Sequence, residues 1–372
     1  MGKQFSFSST KGFKKQGKLI GPLLVCLLLI VAAQGFMPAI ILSETSEVPA
    51  LYQVYNDYFP IGAAVNYRTV ESHQSLLSKH FNSITAENEM KFESIQYLEG
   101  YYDFDRADTI VNFAKNNNQK LRGHTLVWHN QTPQWVFYDK SWDQASKELL
   151  LQRMKEHITT VVTRYKDAVY AWDVVNEAIA DDASFYRDSP WYRIIGAEYI
   201  DYAFQYAHEA DPDAELYYND YNAVYSDKCD KIYRLLKGLK EKGIPVHGVG
   251  IQGHWDINSP SLVEVETAIK KYASLGLKVQ ITELDVSLFA WGDNSKLTAP
   301  TEELLEKQAQ RYRDLFSLFR KYKDVITNVT FWGVADDYTW KDNFPVQGRK
   351  DWPLLFDVNH QPKKAFWTTV EF

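Results

Sequence analysis

Residues 146–177 read SKELLLQRMKEHITTVVTRYKDAVYAWDVVNE, and this stretch decides the fold. From Ser146 to Tyr165 the apolar residues Leu150, Met154, Ile158, Val161, Val162 and Tyr165 recur at helical spacing, which predicts a helix with one buried stripe. The run Val169–Val175 that follows is short, apolar and β-branched, the pattern of a buried strand. It ends in Asn176-Glu177, so chemistry-bearing side chains stand where the strand gives way to a loop.

The same unit repeats along the chain. Further strand-like runs occur at Ile61–Val65, Ser83–Ala86, Leu121–Val127, Glu215–Tyr218, Gly248–Gln252, Lys278–Thr282 and Val329–Trp332. Helical patterns fill the gaps near Val70–His80, Asp105–Asn117, Glu198–Ala210, Asp227–Lys242, Ser261–Leu275, Glu302–Lys323 and Lys363–Val370. Eight strands alternating with eight helices predict an α/β protein built as a single (β/α)8 barrel. A doubly wound open sheet needs fewer strands or a visible second domain. No linker or low-complexity run interrupts the chain after Val48, so the barrel is expected over 48–372, behind a separate segment over 1–47.

Polar residues gather at the strand ends, which a barrel brings to one mouth. The second run is followed by Glu87-Asn88-Glu89-Met90-Lys91, and the third carries His124, Trp128 and His129. Asn219-Asp220-Tyr221-Asn222 close the fifth, Gln252 and His254 the sixth, Glu283 and Asp285 the seventh, and Trp332 with Asp336 and Asp337 the eighth. The spacing i, i+2 turns Gln252 with His254, and Glu283 with Asp285, to common faces. Glu177 and Glu283 stand out as a pair. One carboxylic acid to protonate a leaving oxygen and one carboxylate to attack is the equipment of glycoside hydrolysis. Asn176 is placed to hold a sugar hydroxyl, and His254 and Asp285 to keep Glu283 ionised and oriented.

Other patterns lead away from this reading and fail on inspection. Gly248-Val249-Gly250-Ile251-Gln252-Gly253 matches a dinucleotide-binding spelling, but no helix start follows it. His124, His129 and His254 lack the spacing of a metal hydrolase, so neither a metal nor another cofactor is expected. The sequons at Asn130 and Asn328 fall in the presumed mouth and in a buried strand. Trp172, Trp191 and Trp367, flanked by apolar residues, read as core. The aromatic share of 15% suits flat-faced sugar ligands as well as a large core. Setting aside five basic and two acidic residues before Val48 leaves 36 basic against 46 acidic, a balance of −10 that argues against nucleic acid. Two cysteines, Cys26 and Cys229, provide no disulfide framework, and Cys229 falls on an apolar helix face.

Thr85–Lys91, Arg122–His129, Trp172–Ala178 and Ile281–Asp285 together resemble the motifs of the glycoside hydrolase family 10 endo-β-1,4-xylanases, in the family's order, and the likeness runs from about Ile61 to Trp367. It is nearest to the compact, intracellular-type bacterial xylanases of that family, from which the hydrophobic segment near the N-terminus departs. The resemblance implies a retaining double displacement on internal β-1,4 bonds of xylan or xylo-oligosaccharides, with Glu177 as acid/base and Glu283 as nucleophile. It implies that Asn176 binds the 2-hydroxyl, that His254 bridges to Glu283 with Asp285 behind it, and that Glu87, Asn88 and Lys91 grip the sugar with His124, Trp128 and Gln252. Trp332 and Trp340 become the wall of the cleavage subsite, and Gln131 and Asn219 also match motif positions. The alternatives are another two-glutamate barrel glycosidase acting on β-glucan or mannan, and a tethered xylan-binding protein without turnover.

The segment before Val48 reads as an address. Five lysines precede an uncharged stretch from Leu19 to Ser43 with an apolar centre at Leu23–Val31 and small residues at Ala33-Gln34-Gly35. The stretch to Leu42 is long enough for a signal anchor, so secretion or attachment to the outer membrane face through Leu19–Leu42 is expected, over a cytoplasmic end-point.

Overall fold

The computed structural model describes residues 47–372. Its strands are β1 (Ile61–Val65), β2 (Ser83–Ala86), β3 (Lys120–Val127), β4 (Val169–Asn176), β5 (Glu215–Asp220), β6 (Gly248–Ile251), β7 (His254–Asp256), β8 (Lys278–Ser287) and β9 (Ile326–Phe331). All pair in parallel. The ring runs β1 to β6 in sequence order, then β8 and β9, and β9 returns to β1. β7 is the far half of the sixth barrel strand. β6 pairs with β8 through Gly248↔Lys278 and Ile251↔Ile281, and β7 resumes at His254↔Asp285. Between the two pieces Gly253 takes a φ of +83°, which a residue with a Cβ adopts only under strain. The closed eight-position barrel is the expected (β/α)8 architecture.

The helices follow their sequence patterns closely. Lys147–Tyr165 is one helix that buries Leu150, Met154, Ile158, Val161, Val162 and Tyr165, the stripe read from spacing. Burying each of these side chains is worth about 1.5–3 kcal/mol, so the stripe, not intrinsic propensity, holds the helix to the barrel. Ser146 starts it by accepting a hydrogen bond from the Leu149 N–H at 3.2 Å. Ser261 and Glu264 form a reciprocal cap on Leu262–Ala273.

Three expectations shift. The helix anticipated near Val70–His80 is two short ones, Thr69–Ser72 and Gln74–His80, because His73 leaves the helical path and is buried against Asp337. The strand anticipated over Lys278–Thr282 continues to Ser287, so Glu283 lies within β8 and not beyond its end. Its pairing with β9 slips between Ile281 and Leu284, which brackets Glu283 with an irregularity. The strand placed at Val329–Trp332 begins earlier, at Ile326.

The barrel interior is polar near its middle, and its charged groups there are paired. Arg122 pairs with Asp173 through both terminal nitrogens and reaches across from β3 to β8 with its Nε 2.9 Å from Gln280 Oε1. A planar guanidinium meeting a carboxylate edge to edge is the geometry that makes burial of both charges tolerable. Asn328, of the second sequon, is buried and donates to Ser83 Oγ and Tyr170 Oη at 3.1 and 3.0 Å. Trp172 and Trp191 are core, Trp367 packs against it, and the Cys229 thiol is buried.

The expected secreted or membrane-anchored location is corrected. Among the described residues no helix is long and apolar enough to cross a membrane, and Leu19–Leu42 lies outside them, so nothing supports export or a tether.

Candidate active site

Glu177 follows directly on β4 with a φ of +57°, a left-handed conformation costly for a residue with a Cβ. Two contacts hold it there. Its N–H donates to Asn219 O at 2.9 Å, and Arg187 Nε donates to its carbonyl at 2.8 Å. The carboxylate receives one bond on each oxygen, from Trp128 Nε1 at 2.9 Å and from Gln252 Nε2 at 3.0 Å. Both donors are neutral.

Glu283 keeps different company. Its Oε1 accepts from Asn219 Nδ2 at 2.8 Å, and its Oε2 lies 3.1 Å from His254 Nε2. The other ring nitrogen of His254 is 2.9 Å from Asp285 Oδ2, which also accepts from Trp340 Nε1 at 2.8 Å. Burial works against charge on each member. For His254 the two carboxylates outweigh it and raise the pKa to about 9. For Glu283 burial is overcome by the His254 hydrogen bond, the nearby His124 and Asn219, and the pKa falls to about 2. Glu283 is therefore an anion held by a cation.

One amide oxygen joins the two carboxylates. Asn176 Oδ1 accepts from Asn219 Nδ2 at 3.0 Å and from Gln252 Nε2 at 3.3 Å, the donors that also serve Glu283 and Glu177. Thr282 Oγ1 fixes Asn219 by donating to its Oδ1 at 2.6 Å. Gly250 of the apparent dinucleotide motif makes room for this: a Cβ there would stand 2.1 Å from Asn219 Oδ1.

The remaining side chains form the walls. Lys91 Nζ donates to Asn88 Oδ1 and Gln131 Oε1 at 3.0 and 2.8 Å and sits 4.9 Å from the Trp128 ring. Gln131 Nε2 donates back to Asn88 at 3.1 Å. The His124 ring, 2.9 Å from Asp173, faces the edge of Trp332 at 5.3 Å, and His254 packs on Trp332 and Trp340 at 6.2 and 4.8 Å. Glu87 makes its hydrogen bonds to residues outside the anticipated set. It accepts from Asn66 Nδ2 and Tyr338 Oη at 3.4 and 3.2 Å, and burial pushes its pKa up.

A (β/α)8 barrel with two unlike carboxylates at its mouth is an arrangement found in glycosidases, and comparison with known proteins names the lineage. Residues 50–372 match the profile of glycosyl hydrolase family 10. The chain belongs to that family. It is 56% identical over 327 residues to an endo-1,4-β-xylanase of Geobacillus stearothermophilus, covering 87% of this chain and 99% of that one. It is 51% identical over 352 residues to a β-1,4-xylanase of Dictyoglomus thermophilum, covering 94% and 98%. The crystal structure of a Paenibacillus barcinonensis xylanase, complexed with a conduramine derivative, superposes with a TM-score of 0.86 at 53% identity, covering 88% and 99%.

Within this family 10 glycoside hydrolase the sequence reading missed several residues that touch the anticipated set. Asn66 follows β1, the one strand end to which no polar group was assigned, and its amide bonds Glu87. The signal was present, since Asn66 directly follows Val65. Tyr338 on Glu87 and Lys341, whose Nζ is 3.5 Å from Asp285 Oδ1, lie in a loop whose course no periodicity announces. Asp220 was grouped with the mouth residues but is buried in an ion pair with Lys228 at 2.9 Å, where burial lifts its pKa to about 6. Asp336 pairs with Lys363 at 2.8 Å and is structural.

Proposed function

We propose that the protein is a retaining endo-β-1,4-xylanase that cleaves xylan or xylo-oligosaccharides, with Glu177 as acid/base and Glu283 as nucleophile. The observation that carries this division is the contrast in their donors: imidazolium and amide on Glu283, indole and amide on Glu177. Family membership and the xylanase relatives support the activity. A group held as an anion serves as nucleophile, whereas a group among neutral donors is able to gain and lose a proton within one cycle.

In the first step Glu177 gives its proton to the glycosidic oxygen as the bond from that oxygen to C1 breaks, and a Glu283 oxygen bonds C1 from the opposite face. In the second, Glu177 takes a proton from water, the water oxygen attacks C1, and Glu283 leaves as a carboxylate. Two inversions return the starting configuration. Asn176 contributes by orientation. With its Oδ1 engaged by two donors, its NH2 group is the face left for the substrate, suited to donate to the sugar 2-hydroxyl. Lys91, Asn88, Gln131 and Glu87 would grip hydroxyls farther along the chain. Trp332 and Trp340, packed on His254, would wall the cleavage subsite, which favours xylose over sugars carrying a hydroxymethyl group.

The test is hydrolysis of xylohexaose followed by proton NMR, beside cellohexaose and mannohexaose. The β-anomer appearing first, from the xylose chain alone, is expected. An α-anomer first removes Glu283 as nucleophile, and turnover of only the glucose or mannose chain moves the enzyme to a β-glucanase or mannanase.

A further inference from the structure

Three segments far apart in sequence meet at Asp337. His73 comes from the break between the two short helices after β1, Asp337 from the loop after β9, and His360 from the turn between Phe356 and Pro362, which bridge each other. His73 Nε2 lies 2.9 Å from Asp337 Oδ1, and His360 Nε2 lies 3.4 Å from Asp337 Oδ2. The two rings are 4.5 Å apart at 35°. One ligand atom from each residue falls within 4.8 Å of the others. His73 is 3% exposed, whereas Asp337 and His360 are each 34% exposed, so the cluster has a buried side and an open one.

We propose that His73, Asp337 and His360 bind a divalent transition cation of the zinc class, with the open side left to water. Two imidazoles and a carboxylate are the donor set such ions prefer to calcium or magnesium. Tetrahedral coordination at zinc bond lengths separates ligand atoms by about 3.4 Å, and the carboxylate–imidazole spacings of 2.9 Å to Oδ1 and 3.4 Å to Oδ2 come up to that value, so small side-chain shifts would complete the set. Ser72 Oγ lies 2.8 Å from His73 Nδ1. Accepting that proton leaves the Nε2 lone pair for a metal, the role usual for a group behind a histidine ligand. The buried turn of His73 out of its helix then has a purpose, since it delivers a ligand. The cation would staple three segments and leave the reaction at Glu177 and Glu283 independent of metal.

Full-length protein free of any histidine tag is stripped with EDTA, dialysed and titrated with zinc chloride in a calorimeter. One EDTA-reversible zinc per chain is expected, with a Tm rise of about 4 °C at a hundredfold excess over Kd. Asp337→Asn and the less buried His360→Ala should each fold by circular dichroism and lose both effects. Cobalt in place of zinc should give d–d absorption in the parent protein only. Absence of zinc binding by the parent, or binding retained by both variants, overturns the site and leaves the trio as hydrogen-bonded neighbours.

Discussion

His254 is the side chain on which the charge state of Glu283, the proposed nucleophile, turns. Its pKa stands at about 9 against an ordinary 6.5, and that of Glu283 at about 2 against 4.5. The stabilisation linked to these shifts is present in full between pH 4.5 and 6.5. It fades below that window as Glu283 protonates on the way to about 2, and above it as His254 loses its proton on the way to about 9. His254→Ala should therefore lower Tm most inside the window and less on either side, read from melting curves across pH. The same substitution takes from Glu283 a hydrogen bond and a positive neighbour, so the acid limb of kcat/KM should move to higher pH, with kcat lower by about a hundredfold through lost positioning. An acid limb that stays in place means that His254 does not govern the nucleophile. At this scale the sequence was readable where a side chain ends a buried strand, as Asn176 does, or follows one, as Glu177 and Gln252 do. It was silent on Tyr338 and Lys341, whose positions depend on loop geometry that no periodicity encodes.

Strands and loops set limits that individual residues inherit. β6 has glycine at Gly250 because β5 turns Asn219 into the space a Cβ would fill, 2.1 Å from its Oδ1. Gly250→Ala should push Asn219 off Glu283, lowering kcat at least tenfold, while overpacking costs about 1–3 kcal/mol of stability. Unchanged kcat with the stability loss alone would mean that Asn219 has room to move without consequence. One glycine of the stretch that spells a dinucleotide motif is thus spacing for an amide; the missing helix start argued only against the dinucleotide reading. Element type and order were legible from period alone, but element ends were not. β8 runs five residues past Thr282 because β7 offers it a partner at Asp285, a pairing no local pattern foretells. The loops carry a further feature. Trp291, 75% exposed, packs 5.8 Å from Phe344, which stacks 5.1 Å from Trp340, a proposed wall of the cleavage subsite. Trp291→Ala should raise KM for long xylan chains about threefold to tenfold through lost ring stacking, leave kcat intact and leave short substrates unaffected.

Across the whole molecule the barrel is closed twice, by β9 on β1 and by a seam between the two ends of the described chain. Tyr55 Oη donates to Thr369 O at 2.5 Å, and the Tyr55 ring packs on Phe59, Phe316 and Phe372 at 5.2–5.4 Å. Leu51, Tyr55 and Phe59 are buried although they precede the first strand. Barrel class was legible in the sequence because eight repeats of one rhythm leave few other architectures. The seam was not, since it joins residues more than 300 positions apart through contacts without a period. Every residue assigned to the site lies between Asn66 and Lys341, within the span that carries the core. A chain started at Glu47 should accordingly match the full chain in kcat/KM on xylohexaose to within twofold, and in Tm. A chain started at Pro60 keeps every strand and every site residue but strips the seam. Each large buried side chain so removed costs about 2–5 kcal/mol, a sum comparable with the whole stability of a typical domain. That shorter chain should melt far lower or fail to fold, and equal Tm values for the two truncations would show that the ends contribute nothing to closure.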